Sequence, residues 1–135
     1  MVTKVKDVMI RDVITVEGAT PLVEALQLMF DKSVKSLVIP PKNETDSFAI
    51  LTFTDIARKA LAQDERLEML NVFDLMQKPC MYVHEDLDIR YAARILTSMN
   101  ITRVVVTDGK QLQGIVSLTD MVKCLHKGQF DCNAT

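Results

Sequence analysis

The stretches Ala49-Ile-Leu-Thr-Phe-Thr-Asp55 and Gly114-Ile-Val-Ser-Leu-Thr-Asp120 decide the fold of this 135-residue chain. In each of them, an apolar run rich in strand-forming residues ends in two hydroxyl side chains and a carboxylate, residue types that begin helices. The stretches match position by position, so the same strand-to-helix corner occurs twice. Such internal similarity indicates two copies of one supersecondary unit.

The match continues upstream of both corners. Val5-Lys-Asp-Val-Met9 corresponds to Val72-Phe-Asp-Leu-Met76, and the apolar run Leu37-Val-Ile39 corresponds to Val104-Val-Val106. Continuous apolar runs of this length suit strands that are covered on both faces. We therefore expect both runs to be buried.

Each copy has the residue pattern of a β-α-β-β-α unit. Its first strand is expected at residues 13–16 in copy one and 80–83 in copy two. A helix follows, for which Thr20 is a suitable N-cap and Pro21 a suitable first residue in copy one. Two further strands lead into the corner, where the second helix of each copy begins.

The repeat defines the expected domain organisation. The two copies are placed at residues 1–61 and 72–127, with a linker at 62–71 and a tail at 128–135. One copy of this size would be marginally stable by itself, because a small domain buries too little surface. The predicted class is α+β, with the copies related by a pseudo-twofold axis, their sheets packed together and the helices outside.

Composition excludes several classes of protein. Hydrophobic residues make up 48% and charged residues 25%, as in a globular domain rather than a disordered chain. The formal net charge of -2 and the 5% of aromatic residues argue against nucleic acid as a partner. No apolar run is long enough to cross a membrane, and free thiols without a signal peptide predict a cytoplasmic protein.

The cysteines and histidines form no metal-binding pattern. Cys124, His126, Cys132 and His84 can be drawn as a set, but their spacing matches no zinc motif. An odd number of widely spaced cysteines also gives no complete disulfide framework. We expect Cys80 and Cys124 to be core residues, Cys132 to lie in the tail, and no metal to be bound.

The corners carry the candidate chemistry. Hydroxyl groups donate to phosphate, a carboxylate accepts from two sugar hydroxyls, and the free N–H groups of a helix start favour an anion. The alternative is capping alone, with Thr54 and Thr119 as ordinary N-caps and the Asp of each first turn facing the helix dipole. The shared register of the two corners favours binding. Neither histidine has a nucleophile context, so we expect no enzyme activity.

With its upstream segments, the doubled corner resembles a tandem pair of cystathionine-β-synthase (CBS) domains, also called a Bateman module. Lys4-Val-Lys-Asp-Val-Met9 is similar to the segment that leads into the family's repeat, and Glu24-Ala-Leu-Gln-Leu-Met29 is similar to its first helix. The corner Gly114–Asp120 is similar to its closing signature. The resemblance covers nearly the whole chain. It implies a regulatory module that binds AMP, ADP, ATP or S-adenosylmethionine.

The resemblance also implies two pockets in the clefts between the copies, where one copy's Asp holds a ribose and the other copy's lead-in holds adenine. One pocket would use Thr52, Thr54, Asp55, Met76, Pro79 and Met81. The other would use Ser117, Thr119, Asp120, Met9, Asp12 and Ile14. Lys35 and Arg103 stand where the family often has a basic residue that meets phosphate. Without a ligand, the methionines would be core filler and the two basic residues solvated charges.

Copy two follows the family pattern more closely than copy one. Ala49 stands where the family has Gly, and its methyl group is expected to narrow the pocket at Asp55. Pro40-Pro41 and a longer loop replace the acidic turn that normally follows the second strand. We therefore favour the pocket at Asp120.

Two functions remain open at this point. The first is a sensor of an adenosyl ligand that transmits occupancy through its packing. The second is a ligand-free scaffold or dimerisation module that acts on a protein partner. Surplus apolar surface on the helices at residues 22–30 and 89–99 predicts a flat homodimer in either case. The regulated effector would be another part of a larger protein or a separate protein.

Overall fold

A computed structural model describes residues 2–126 of the chain. The α-helices are α1 Val5–Val8, α2 Leu22–Asp31, α3 Phe53–Ile56, α4 Val72–Leu75, α5 Ile89–Ser98 and α6 Leu118–His126. The strands are β1 Ser36–Ile39, β2 Ala49–Thr52, β3 Tyr82–His84, β4 Arg103–Thr107 and β5 Leu112–Ser117. Helix α3 continues into a π-helical turn, Ala57–Leu61, and a 3-10 turn spans Leu67–Met69. Within residues 2–126, no helix has the length and apolar character needed to span a membrane.

The chain divides into two compact units whose borders cross those of the sequence repeats. The Asp120 unit comprises residues 2–13 and 81–126, and the Asp55 unit comprises Ile14–Cys80. Each unit therefore joins the body of one repeat to the segment that leads into the other repeat.

These lead-in segments, residues 4–13 and 71–80, are held by hydrophobic burial. Val5 and Met9 belong to the core of the Asp120 unit, while Val72 and Leu75 belong to the core of the Asp55 unit. Burial of such side chains stabilises each unit by roughly 1.5–3 kcal/mol per side chain relative to exposure. Each lead-in segment therefore folds with the unit that contains the corner of the other repeat.

The Asp55 unit contains a two-stranded antiparallel sheet. Strands β1 and β2 pair with Ser36 opposite Thr52, and all residues of both strands are buried. The predicted burial of residues 37–39 is therefore confirmed. The strand expected at residues 13–16 is reduced to a single parallel bridge from Thr15 to β1.

Helix α2 of this unit begins one residue later than expected. Pro21, not Thr20, is at the N-cap position, and no side chain caps the helix. The prediction of Thr20 as the cap is wrong because neighbouring backbone satisfies the first N–H, since Leu22 N donates to Leu70 O at 2.9 Å. The apolar face is formed as expected, with Leu22, Ala25 and Met29 buried.

The Asp120 unit contains a three-stranded sheet with the order β3-β4-β5. Strand β3 runs parallel to β4 and β5 runs antiparallel to it, with Arg103 opposite Ser117. The predicted burial of residues 104–106 is confirmed. Strand β3 begins at Tyr82, two residues after the expected start. This unit supplies a complete β-α-β-β-α set.

Candidate functional site

The corner of the Asp55 unit is a closed capping box. The N–H and the Oγ1 hydroxyl of Thr52 donate to Asp55 Oδ2 at 2.9 and 3.0 Å, and Asp55 N donates back to Thr52 Oγ1 at 3.2 Å. Helix α3 therefore starts directly at the end of β2, with Thr52 as its N-cap.

The corner of the Asp120 unit repeats this arrangement. The N–H and hydroxyl of Ser117 donate to Asp120 Oδ2 at 3.0 and 2.9 Å, and Asp120 N donates to Ser117 Oγ at 3.1 Å. The alternative interpretation of Thr54 and Thr119 as N-caps is wrong, because the helices begin two residues earlier than those caps require. Both threonines are exposed, so their hydroxyls are not consumed by capping.

The two aspartates differ at their second oxygen. Asp55 Oδ1 accepts a hydrogen bond from Gln77 Nε2 at 2.8 Å, and Asp55 is only 3% exposed. Asp120 is half-buried, and no residue in the described part of the chain donates to its Oδ1. Both oxygens of the buried Asp55 carboxylate are therefore engaged by its own unit, while Asp120 keeps one oxygen without a donor from the described residues.

Gln77 was absent from the residues expected at the site. It lies directly after Met76 in the lead-in segment, at the place that matches Ile10 in the other lead-in. That apolar-to-polar difference between the repeats was the sequence signal that could have revealed it.

A positive charge lies beside Asp120. Arg103 begins β4 opposite Ser117, and it is partly buried. Burial lowers the pKa of the Arg103 guanidinium, and the Asp120 carboxylate opposes that change. The guanidinium stays protonated at neutral pH, so the corner combines a carboxylate acceptor with a cation.

Lys35 does not match Arg103 in the structure. Ser36, which is buried, lies opposite Thr52 as Arg103 lies opposite Ser117. Lys35 precedes β1 by one residue and is exposed. Because side chains alternate along a strand, the Asp55 corner has a serine where the Asp120 corner has its arginine.

Each lead-in segment pairs with the corner of its own unit. Ile10 and Ile115 form a bridge through hydrogen bonds of 2.8 and 2.9 Å, and Gln77 and Ile50 form the matching bridge through bonds of 2.8 and 3.1 Å. A Cβ placed on Gly114 would lie 2.5 Å from the Ile10 carbonyl oxygen, so glycine is required there.

At Ala49, which matches Gly114, the methyl group is tolerated. Ala49 is fully buried in the core of its unit, and the bridge from Ile50 to Gln77 still forms beside it. The methyl group therefore does not prevent the lead-in from pairing, and the Gln77 amide beside it still reaches Asp55.

The other residues predicted to line the two pockets differ in burial and in the unit to which they belong. Within the Asp120 unit Met9 is buried and Asp12 is exposed, and within the Asp55 unit Met76 is half-buried and Pro79 is exposed. Ile14 and Met81 each belong to the other unit from the aspartate with which they were grouped. Their places in a site stay predictions.

The cysteines show no sign of metal binding in the described part of the chain. Cys124 is buried and Cys80 is half-buried, and no group of three or more potential ligands occurs in residues 2–126. Cys132 lies outside the described residues. Burial raises the pKa of the Cys80 thiol to about 11, which makes it a poor nucleophile at neutral pH.

A family model for the CBS domain matches residues 5–62 and 72–127. The chain belongs to the CBS domain family. The two matches make it a tandem CBS pair, and its α+β elements agree with solved CBS proteins. One is the hexameric CBS-CP12 protein from bloom-forming cyanobacteria, 34% identical with a TM-score of 0.87, covering 90% of this chain and 67% of that one.

A second solved structure is the CBS domain pair of protein MJ0100 in complex with 5-methylthioadenosine and S-adenosyl-L-methionine. It is 28% identical with a TM-score of 0.78, and the match covers 96% of this CBS pair and 99% of that chain.

Curated relatives include longer proteins. An uncharacterized protein of Methanopyrus kandleri is 31% identical over 84% of this chain and 58% of its own length. Inosine-5'-monophosphate dehydrogenase of Methanocaldococcus jannaschii is 30% identical over 90% of this chain and 23% of its own length. The CBS pair thus spans less than two thirds of either relative.

Proposed function

We propose that this CBS pair is a regulatory module that binds an adenosyl ligand (AMP, ADP, ATP or S-adenosylmethionine) at the Asp120 corner. The observation that carries the proposal is the second oxygen of Asp120, which accepts no hydrogen bond from residues 2–126, on a corner where Arg103 lies opposite Ser117. The paired capping boxes alone would serve a purely structural role equally well.

The Asp120 corner suits a ribose because one carboxylate oxygen is fixed and the other is available. Ser117 and the helix start hold Oδ2, so the direction in which Oδ1 accepts is set before a ligand arrives. A ribose hydroxyl donates to such an oxygen. Arg103 and the N-terminus of α6 favour an anionic group on the same ligand, and the exposed Thr119 hydroxyl can donate to it.

The solved MJ0100 pair supports this ligand class. The two compounds in that complex, 5-methylthioadenosine and S-adenosyl-L-methionine, share an adenosyl group. A site that recognises the ribose and base would accept several adenosyl compounds, and the group attached at the 5' position would decide among them.

The rest of the predicted set belongs to the same proposal. Met9, Asp12 and Ile14 would line the Asp120 pocket. The second predicted pocket consists of Thr52, Thr54, Asp55, Met76, Pro79 and Met81, with Lys35 near its phosphate side, and the hydrogen bond from Gln77 to Asp55 makes it the weaker candidate. The repeat bounds 1–61 and 72–127, the linker 62–71 and the tail 128–135 are likewise proposals.

We also propose a homodimer in the cytoplasm that acts on an effector elsewhere in a larger protein or on a separate partner. Phe30 on α2, Tyr91 on α5 and Met99 at the C-cap of α5 are large apolar side chains with exposed fractions of 65%, 49% and 49%. The CBS-CP12 protein named above is hexameric, which supports assembly of CBS pairs through their surfaces. A ligand that prefers one arrangement of the module would shift its population towards that arrangement.

Isothermal titration of the chain with AMP, ADP, ATP and S-adenosylmethionine tests the proposal. Asp120→Ala should weaken the binding free energy of the ligand by about 1.5–3 kcal/mol, because a hydrogen bond to a charged group is lost. Asp55→Ala is the matched control and should leave that affinity unchanged. Equal affinity of the parent and Asp120→Ala would refute the site, and a parent that binds none of the four at millimolar concentration would favour the ligand-free scaffold.

A further inference from the structure

We infer that the Gln77 carboxamide closes the Asp55 corner to ligand, so that each chain takes one adenosyl ligand, at Asp120. This inference rests on the proposed function and adds a residue that decides which of the two repeated corners is competent. Gln77 lies in the lead-in segment at residues 71–80, outside the stretches that resemble CBS motifs.

The geometry of the closure is complete within the Asp55 unit. Thr52 supplies two donors to Asp55 Oδ2, and Gln77 Nε2 supplies one to Oδ1 at 2.8 Å. The Gln77 backbone is itself fixed, since its N–H and C=O exchange hydrogen bonds with Ile50 at 2.8 and 3.1 Å. The side chain therefore extends from an anchored position to the carboxylate.

Asp55 is only 3% exposed and Gln77 Nε2 lies on its Oδ1, so a ribose hydroxyl has to displace this amide to approach that oxygen. The amide is covalently tethered beside the carboxylate, so its local concentration is high, while a free ligand pays the full cost of association. Exchanging one donor for another gives no net hydrogen bond. Loss of a bond to a charged acceptor weakens binding by about ten- to hundredfold.

The Asp120 unit has the same backbone bridge without the amide. Ile10 takes the place of Gln77 and pairs with Ile115. Gln77 and Ile10 are both exposed, but the Ile10 side chain has no donor. The Asp120 corner also has Arg103 where the Asp55 corner has Ser36. Of these two side-chain differences, the Gln77 amide is the one that occupies the carboxylate, while Arg103 supplies a charge for the anionic group of a ligand.

Stoichiometry tests the inference directly. The parent and Gln77→Ala are titrated calorimetrically with AMP and, separately, with S-adenosylmethionine. We expect one site per chain in the parent and two in Gln77→Ala, with the added site lost again in Gln77→Ala/Asp55→Asn. Ile10→Ala is the matched control in the other lead-in and should keep one site. Thermal unfolding checks that each variant is folded, and Gln77→Ser replaces the alanine variant if that one is not.

The reverse substitution is a second, independent test. Ile10→Gln places a carboxamide beside Asp120 on an exposed side-chain position, and we expect it to weaken the parent site at least tenfold. Two sites in the parent, or one site in both parent and Gln77→Ala, would overturn the inference and leave the proposed function standing. Binding by neither protein would overturn the proposed function, and this inference with it.

Discussion

Gly114→Ala should separate the lead-in segment from the Asp120 corner. The new Cβ would lie 2.5 Å from the carbonyl oxygen of Ile10 and 3.0 Å from the sulfur of Met9. The methionine side chain can move, but the carbonyl is backbone and belongs to the bridge with Ile115. The lead-in must therefore shift as a segment, which weakens the bridge.

The cost follows from the bonds at risk. The bridge contains two backbone hydrogen bonds of 2.8 and 2.9 Å, each with a net contribution of about 0.5–1.5 kcal/mol. Their loss predicts a fall of about 1–3 kcal/mol in the free energy of unfolding, similar to the usual cost of overpacking a core. Gly18→Ala is the matched control, because a Cβ there meets Phe73 Cβ at an ordinary 3.5 Å.

Urea denaturation measures the free energy of unfolding, and amide hydrogen exchange reports the bridge itself. In Gly114→Ala we expect faster exchange at the amides of Ile10 and Ile115, while Gly18→Ala keeps the parent's stability within about 0.5 kcal/mol. If Gly114→Ala unfolds at the parent's urea midpoint and both amides stay protected, the reasoning from the close contact is refuted.

Three further outcomes are expected. Asp88→Ala should lower the free energy of unfolding at pH 7 by about 0.5–2 kcal/mol in urea titrations, since Asp88 caps α5. Arg90 lowers the pKa of Asp88, so this contribution exists above about pH 4 and is lost as the pH falls through the folded pKa; a difference between parent and variant that does not shrink below pH 4 would contradict it. The pKa of Asp46, held at about 2 first by Lys78, should rise in Lys78→Met while staying below its ordinary value, as followed by NMR titration; an unchanged pKa would exclude the ion pair as a cause. Cys80, with a pKa of about 11, should alkylate with iodoacetamide at pH 8 about a hundredfold more slowly than free cysteine, and rapid labelling by peptide mass spectrometry would show that it is not buried.

The repeat made much of the fold predictable. Residues that match between copies are apolar where they pack, so the order of strands and helices and the burial of residues 37–39 and 104–106 follow from local pattern. The start of α2 could not be predicted in the same way, because the N–H of Leu22 is satisfied by the distant carbonyl of Leu70. The helix-capping propensity of Thr20 is a local property and does not reflect such a tertiary hydrogen bond.

The features of the site that both corners share were predicted from the sequence, whereas those that differ between the corners were not. The pairing of Ser117 with Asp120 is local, so the corner motif encodes it. The contact of Gln77 with Asp55 joins segments far apart in sequence, so no local pattern encodes it. The mismatch between Lys35 and Arg103 was visible in the sequence, because the match of residues 37–39 with 104–106 places Ser36 at the position of Arg103. The residues that differ between the repeats therefore indicate which corner binds a ligand, while the residues that match indicate the fold.

A crystal structure of the chain grown with the adenosyl ligand selected by titration tests the central claim most directly. We predict one ligand per chain, with a ribose hydroxyl within hydrogen-bond distance of Asp120 Oδ1, its anionic group near Arg103, and the Gln77 amide still on Asp55. A ligand whose ribose contacts Asp55, or one that makes no contact with Asp120, would contradict it.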